Sequence, residues 1–322
     1  METENKSGFP AGTLVLTAKG YQEIETLSVG DLVLTHRGRF RKILKIDSCE
    51  TETILLSGNS VLESAKDIYI LCGEQSKKPN VNIIEYWMWS ADTISKNWAL
   101  QSNILDFPLE SITDFPDTKI KNVMTQAEFW RLVGTQITSN TAHDDALMNQ
   151  IYPNPKGFMT WLHKAVGTRT RQRCIPLFMM TLCTEFKQAF LDGFMTYNGG
   201  IEPNSNCYRY QSSNKKFIYG LRYIAESIGY NTHICLLNLP DKTVIFGRSV
   251  NQKPRYTISI SGSPERFRGV QNIVHTFYKC SSIKPTDMIK TVYSLSVEED
   301  NSFIADSIVV RCNYEYYSEG LS

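Results

Sequence analysis

The chain has 322 residues, of which 42% are hydrophobic and 21% charged; this excludes intrinsic disorder and leaves room for two cores, since single cores stop growing at roughly 250–300 residues. No run of ~18 apolar residues occurs, and the polar, acidic start METENKSGFP is unlike a secretory leader, which predicts an intracellular protein without membrane attachment, in the cytoplasm or at the nucleus or nucleoid. The net charge of +1 conceals an asymmetry, because residues 125–285 hold 19 Lys plus Arg against 9 Asp plus Glu (+10) and the remainder 15 against 24 (−9).

From the N-terminus, residues 13–17 (TLVLT), 22–26 (QEIET), 32–36 (LVLTH) and 40–46 (FRKILKI) read as short strands, with Gly20, Gly30 and Gly38 as turns. Further strands are predicted at 53–56 and 67–72, and again at 292–297 and 306–310. The last two must return to complete a sheet begun some 250 residues earlier, which makes the outer part of the chain all-β. In the basic middle, FWRLVGTQITSN (129–140) and AFLDGFMTYNGG (189–200) are apolar helical runs around Gly134 and Gly193. A third helix carries Phe217, Leu221, Ile224, Ala225 and Ile228 at helical spacing and stops at Gly229. That stripe is core.

The middle segment has no acidic residue from 156 through 184, while Lys156, Lys164, Arg169, Arg171 and Arg173 are present. The alternation in TRTRQR (168–173) predicts a strand with its three arginines on one face, suited to following the phosphates of a duplex. Lys253, Arg255, Arg266 and Arg268 supply a comparable patch. The eight cysteines form no CxxC pair and have no histidine at zinc spacing, so buried thiols are expected rather than metal ligands or disulfides.

The segment GFPAGTLVLTAKGYQEIETLSVGDLVLTHRGRFRKILK (8–45) and the segment TVYSLSVEEDNSFIADSIVVRCN (291–313) resemble the opening and closing blocks of an intein, a self-excising Hint domain. The two middle helices, with their lead-in RCIPLFMMTLCTEFKQAFLDG, resemble a two-motif LAGLIDADG homing endonuclease. The resemblance implies an all-β Hint domain interrupted by an α/β LAGLIDADG domain with pseudo-two-fold symmetry. The expected divisions are an extension at 1–7, Hint residues 8–105, a connector at 106–124, the endonuclease-like domain at 125–285, Hint residues 286–313, and a tail at 314–322.

Splicing chemistry requires a thiol or hydroxyl at the first intein residue and an imidazole to protonate the departing amide. Gly8 stands at the nucleophile position. Ser64, Ala65, Lys66 and Asp67 match the Thr-x-x-His motif, with Asp67 in place of the imidazole. Asn301 falls where an upstream His is usual, and Arg311, Cys312 and Asn313 fall on the closing His, Asn and acceptor. A one-residue slip would make Asn313 the cyclising residue, with Tyr314 as a poor acceptor; Ser7 is a weaker candidate for a displaced nucleophile. In the nuclease motifs, Ser139 and Asn198 occupy the positions of the two carboxylates that would hold Mg²⁺. His143, Asp144 and Asp145 are either displaced ligands or a solvated turn.

The resemblance therefore implies a scaffold degenerate at both catalytic sites, leaning away from an enzyme. No cofactor is expected, Mg²⁺ being implied only for an active nuclease. Double-stranded DNA is the expected partner. Two other readings are a structural subunit of a larger, for example viral, assembly, docking a protein through Tyr314, Tyr316 and Tyr317, and an intein inactivated by laboratory mutation.

Overall fold

A computed structural model describes residues 7–58, 60–74, 84–89, 98–102, 124–139, 155–169, 172–203, 205–237, 242–245, 248–251, 254–262, 275–279 and 282–311. The chain opens with β1 (Phe9–Pro10), β2 (Leu14–Thr17), β3 (Gly20–Glu23), β4 (Leu32–Leu34), β5 (Phe40–Ser57), β6 (Val61–Ala65), β7 (Tyr69–Glu74), β8 (Ile84–Trp89) and β9 (Trp98–Ser102). The middle holds α1 (Gln126–Gln136), α2 (Pro155–Val166), α3 (Leu177–Met180), α4 (Thr184–Tyr197), β10 (Gly200–Ile201), β11 (Cys207–Ser212), α5 (Lys215–Ser227), β12 (Asn231–Leu237), β13 (Lys242–Ile245), β14 (Arg248–Asn251) and β15 (Arg255–Ser261). β16 (His275–Lys279), β17 (Ser282–Val297), β18 (Phe303–Ala305) and β19 (Ile308–Arg311) follow. No helix among the described residues is long and apolar enough to cross a membrane.

Two compact units emerge, an outer one of residues 1–107 with 272–322 and an inserted one of residues 108–271. Residues 272–285, read from charge as part of the basic module, belong to the outer unit because β16 pairs with β9 and β17 with β5. Charge is a property of side chains, whereas the boundary follows backbone hydrogen bonds.

In the outer unit one antiparallel sheet runs β1-β17-β5-β4-β2-β18-β19-β7-β9-β16, with β3 on β2, β6 on β5 and β8 on β7. The strands predicted at 40–46 and 53–56 are one strand, since β17 pairs with β5 from Val297↔Ile43 to Ser282↔Ser57 across a bulge between Pro285 and Ile289. Residues 24–26, predicted as strand, form a 3₁₀ turn. The core gathers Phe9, Val15, Ile24, Val33, Leu62 and Ile70 with Leu295, Phe303 and Val310. Phe9 and Phe303 meet edge to face, ring centroids 5.6 Å apart.

Asp300 ties the far end of the chain to the β4–β5 turn. Its buried carboxylate accepts from the Thr35 hydroxyl (2.6 Å) and from Arg39 through Nε (2.9 Å) and Nη2 (2.6 Å). Burial alone would raise this carboxyl, but the Arg39 and Thr35 donors outweigh burial and hold it below its ordinary value. A depressed folded value contributes stability that is present above the unfolded value of about 3.9 and is lost as pH falls through the folded one. Asp300→Asn is therefore expected to cost about 2 kcal/mol at pH 7, because a buried hydrogen-bonded carboxylate is removed while Arg39 keeps contact with water. Urea unfolding at pH 7 and pH 3 checks this: the variant should lose stability at pH 7 and show a weaker acid dependence than the parent.

In the inserted unit α1 starts at a capping box in which the Thr125 hydroxyl accepts from Glu128 N–H while Glu128 reaches back to Thr125 N–H. α5 ends in a Schellman motif, with Tyr230 N–H on the Ala225 carbonyl and Gly229 N–H on that of Glu226. α1 and α4 cross in direct backbone contact at the predicted glycines. A Cβ at Gly134 would lie 2.1 Å from the Phe190 carbonyl oxygen, and one at Gly193 would lie 2.0 Å from that of Arg131. After α4 comes a four-stranded antiparallel sheet, β10-β11-β15-β12, backed by α5; among the described residues no such sheet follows α1.

Candidate functional site

The outer unit brings both ends of its fold onto one short segment. Gly8 lies just before β1, which pairs with β17 through Phe9↔Tyr293, and the Gly8 carbonyl accepts from the Ala65 N–H at 2.8 Å. Four residues on, Tyr69 registers with Arg311 in β19. The first expected splicing position and Arg311, the first of the closing three, are thus both anchored within 65–69. Gly8 has φ +152°, and a Cβ there would lie 2.7 Å from the Tyr293 carbonyl oxygen. The backbone at this position is built around a residue without a side chain.

The other expected splicing positions are dispersed in role. Ser64 is buried with a hydroxyl that has no hydrogen-bond partner among the described residues, whereas Asp67 is exposed. Arg311 is buried and its Nε donates to the Asn301 carbonyl at 3.1 Å. A guanidinium stays protonated near neutral pH and cannot serve as the acid that an imidazole provides. Asn301 itself sits in a left-handed turn, φ 44°. The outer-unit imidazole of His36, absent from the sequence reading, contacts the Ser302 hydroxyl through Nδ1 at 2.7 Å. Cys312, Asn313 and the tail tyrosines lie outside the described residues.

In the inserted unit the arginine strand is corrected. Among the described residues, 168–169 and 172–173 are not strand: Gln172 N–H bonds to the Arg169 carbonyl and Cys174 N–H to that of Val166. These turn bonds abolish the two-residue alternation on which a common face depended. Arg169 is exposed, but Arg173 is buried and turns inward. Its guanidinium donates to the carbonyls of Thr138, Ser139 (2.9 Å) and Thr168 (3.4 Å). Burial draws it below its ordinary value, but a guanidinium keeps its charge at neutral pH. Lys164 and Arg255 are exposed; Arg171, Lys253, Arg266, Arg268, His143, Asp144 and Asp145 lie outside the described residues. Cys49, Cys174, Cys183, Cys207 and Cys235 form no disulfide, and Cys183 is exposed rather than buried because it immediately precedes α4.

A polar face that the sequence reading missed lies on the sheet. Along β11, Tyr208 and Ser212 are buried while Arg209 and Gln211 are exposed; along β12, Thr232 and Ile234 are buried while Asn231 and His233 are exposed. Register places Arg209, Ser259 and His233 in one row across β11, β15 and β12, and Arg255 is exposed at the start of β15. Glu202 pairs with Arg209 at 3.0 Å. The alternation in CYRYQS and NTHIC is the signal that reveals this face.

Residues 7–62 match the family model of the Hint domain. No curated protein matches the chain significantly. The opening segment is a Hint/intein-type domain, and its match ends within β6, before the inserted unit begins.

Proposed function

We propose that this chain, which opens with a Hint/intein-type domain, no longer splices, and that its inserted unit is a LAGLIDADG-like module that binds double-stranded DNA without cutting it. The observation that carries the DNA reading is the solvent-facing row of Arg209, Ser259 and His233 with Arg255 on the same antiparallel sheet. Strands lie about 4.8 Å apart, so three of them make a strip about 10 Å across, which suits a major groove about 12 Å wide. Guanidinium and imidazole donors on such a strip reach phosphates and base edges. Loss of splicing is supported by Gly8 and Arg311, neither of which offers the group that the chemistry needs.

Binding should be weak and salt-dependent, with Kd on the order of 10⁻⁴ to 10⁻⁶ M for arbitrary duplex at physiological salt. Fluorescence anisotropy with a labelled duplex, repeated across salt concentrations, tests this. The double variant Arg209→Ala/Arg255→Ala is expected to weaken binding and to reduce the slope of log K against log salt by about one for each phosphate no longer neutralised. Binding that ignores salt, or a double variant indistinguishable from the parent, would sink the DNA reading and leave a protein-interaction module as the better account.

A further inference from the structure

The ends of α1 and α4 are where the nuclease resemblance implies a divalent cation held by one carboxylate from each helix. The residues present do not fit one. Mg²⁺ and Ca²⁺ are held by oxygen ligands, chiefly carboxylates, but positions 139 and 198 carry serine and asparagine. Asn198, buried at the C-terminus of α4, turns its amide into the helix pair. Its Nδ2 donates to the carbonyls of Gly134 (3.3 Å) and Phe194 (3.2 Å), and its Oδ1 accepts from the Thr138 hydroxyl. The Ser139 carbonyl is taken by Arg173 and lies 3.3 Å from His163 Nε2.

Helix C-termini expose unpaired carbonyls and a partial negative charge, and a cation close to them is stabilising. Arg173, 5% exposed, brings a cation to this end from the loop after α2, its guanidinium fork on the Thr138 and Ser139 carbonyls one and two residues past the Ile137 C-cap of α1. The planar fork makes two directed bonds where a metal would need charged ligands.

We propose that Arg173 is a built-in cation that replaces a divalent metal at the junction of α1 and α4, closing the site so that restoring the two carboxylates alone creates no metal site. Aspartates at 139 and 198 would pair with the guanidinium already in place. The nuclease-like reading of the inserted unit supplies only the identity of the displaced group. Failure of DNA binding would therefore leave this inference standing.

Titration of the full-length chain with Mn²⁺ and, by tryptophan-sensitised luminescence, with Tb³⁺ tests it. The parent and the Ser139→Asp/Asn198→Asp variant are expected to show no saturable binding with Kd below about 10⁻³ M, the weak end of protein sites for hard cations. Adding Arg173→Met to that pair is expected to tighten binding at least tenfold. A double variant that binds as tightly as the triple one would overturn the proposal, as would Mn²⁺ binding by the parent that Asn198→Ala removes. If the triple variant does not fold, Arg173→Met alone decides. Its melting temperature is expected to fall by roughly 5–10 °C, with Arg173→Lys intermediate and Mn²⁺ restoring neither. A single variant that melts within about 1 °C of the parent would refute the role.

Discussion

Replacing Gly193 with alanine is expected to destabilise the inserted unit strongly. The added methyl would lie 2.0 Å from the Arg131 carbonyl oxygen and 2.9 Å from the carbonyl carbon behind it, both backbone atoms of the facing helix. Neither can rotate aside, so α1 and α4 must separate. Alanine favours a helix over glycine by about 1 kcal/mol, whereas overpacking a close contact costs typically 1–3 kcal/mol and more where backbone is struck. The steric term wins. A net loss of about 3–4 kcal/mol is a large part of the 5–15 kcal/mol that holds a typical domain. Gly134→Ala should behave alike, since its methyl would meet the Phe190 carbonyl oxygen at 2.1 Å. Gly200→Ala is the control, because nothing lies within 4 Å of a Cβ there. Urea unfolding with hydrogen exchange on α1 and α4 measures the difference. A Gly193→Ala protein as stable as the Gly200→Ala control would mean that the helices do not cross at these glycines.

Placing cysteine at position 8 is expected to yield no splicing and a less stable outer unit. A side chain at φ +152° meets the Tyr293 carbonyl oxygen at 2.7 Å. Strained backbone costs about 1–3 kcal/mol, and the steric clash adds to that, for a total of about 2–4 kcal/mol. On the proposed assignment the chemistry also lacks its acid, because a guanidinium stands at Arg311 and an exposed aspartate at Asp67. Mass spectrometry of Gly8→Cys after prolonged incubation with thiol should show one intact chain, and its melting temperature should lie below that of the parent. Fragments ending at Ser7 would show that thioester formation survives, and an unchanged melting temperature would show that the site accommodates a side chain.

What the sequence determined by itself was local. Glycine-punctuated β-formers produced the outer strands, 3.6-residue spacing produced α5, and small residues within apolar helical runs marked the α1–α4 crossing, because these features depend on near neighbours and on side-chain size. That Gly8 carries no thiol or hydroxyl and that Ser139 and Asn198 carry no carboxylate was likewise readable, since a missing atom needs no coordinates.

The tertiary structure decided where the charges went. TRTRQR reads as a strand until Gln172 and Arg173 turn back onto the Arg169 carbonyl and Cys174 onto that of Val166, and Arg173 reaches the Thr138 and Ser139 carbonyls. Asp300 finds Arg39 and Thr35 across 261 and 265 residues, a separation that no local pattern spans. The row of Arg209, Ser259 and His233 arises only when β15 pairs with both β11 and β12. Which way a charged side chain turns is set by backbone pairing with distant segments, and that information becomes available only once the chain has folded.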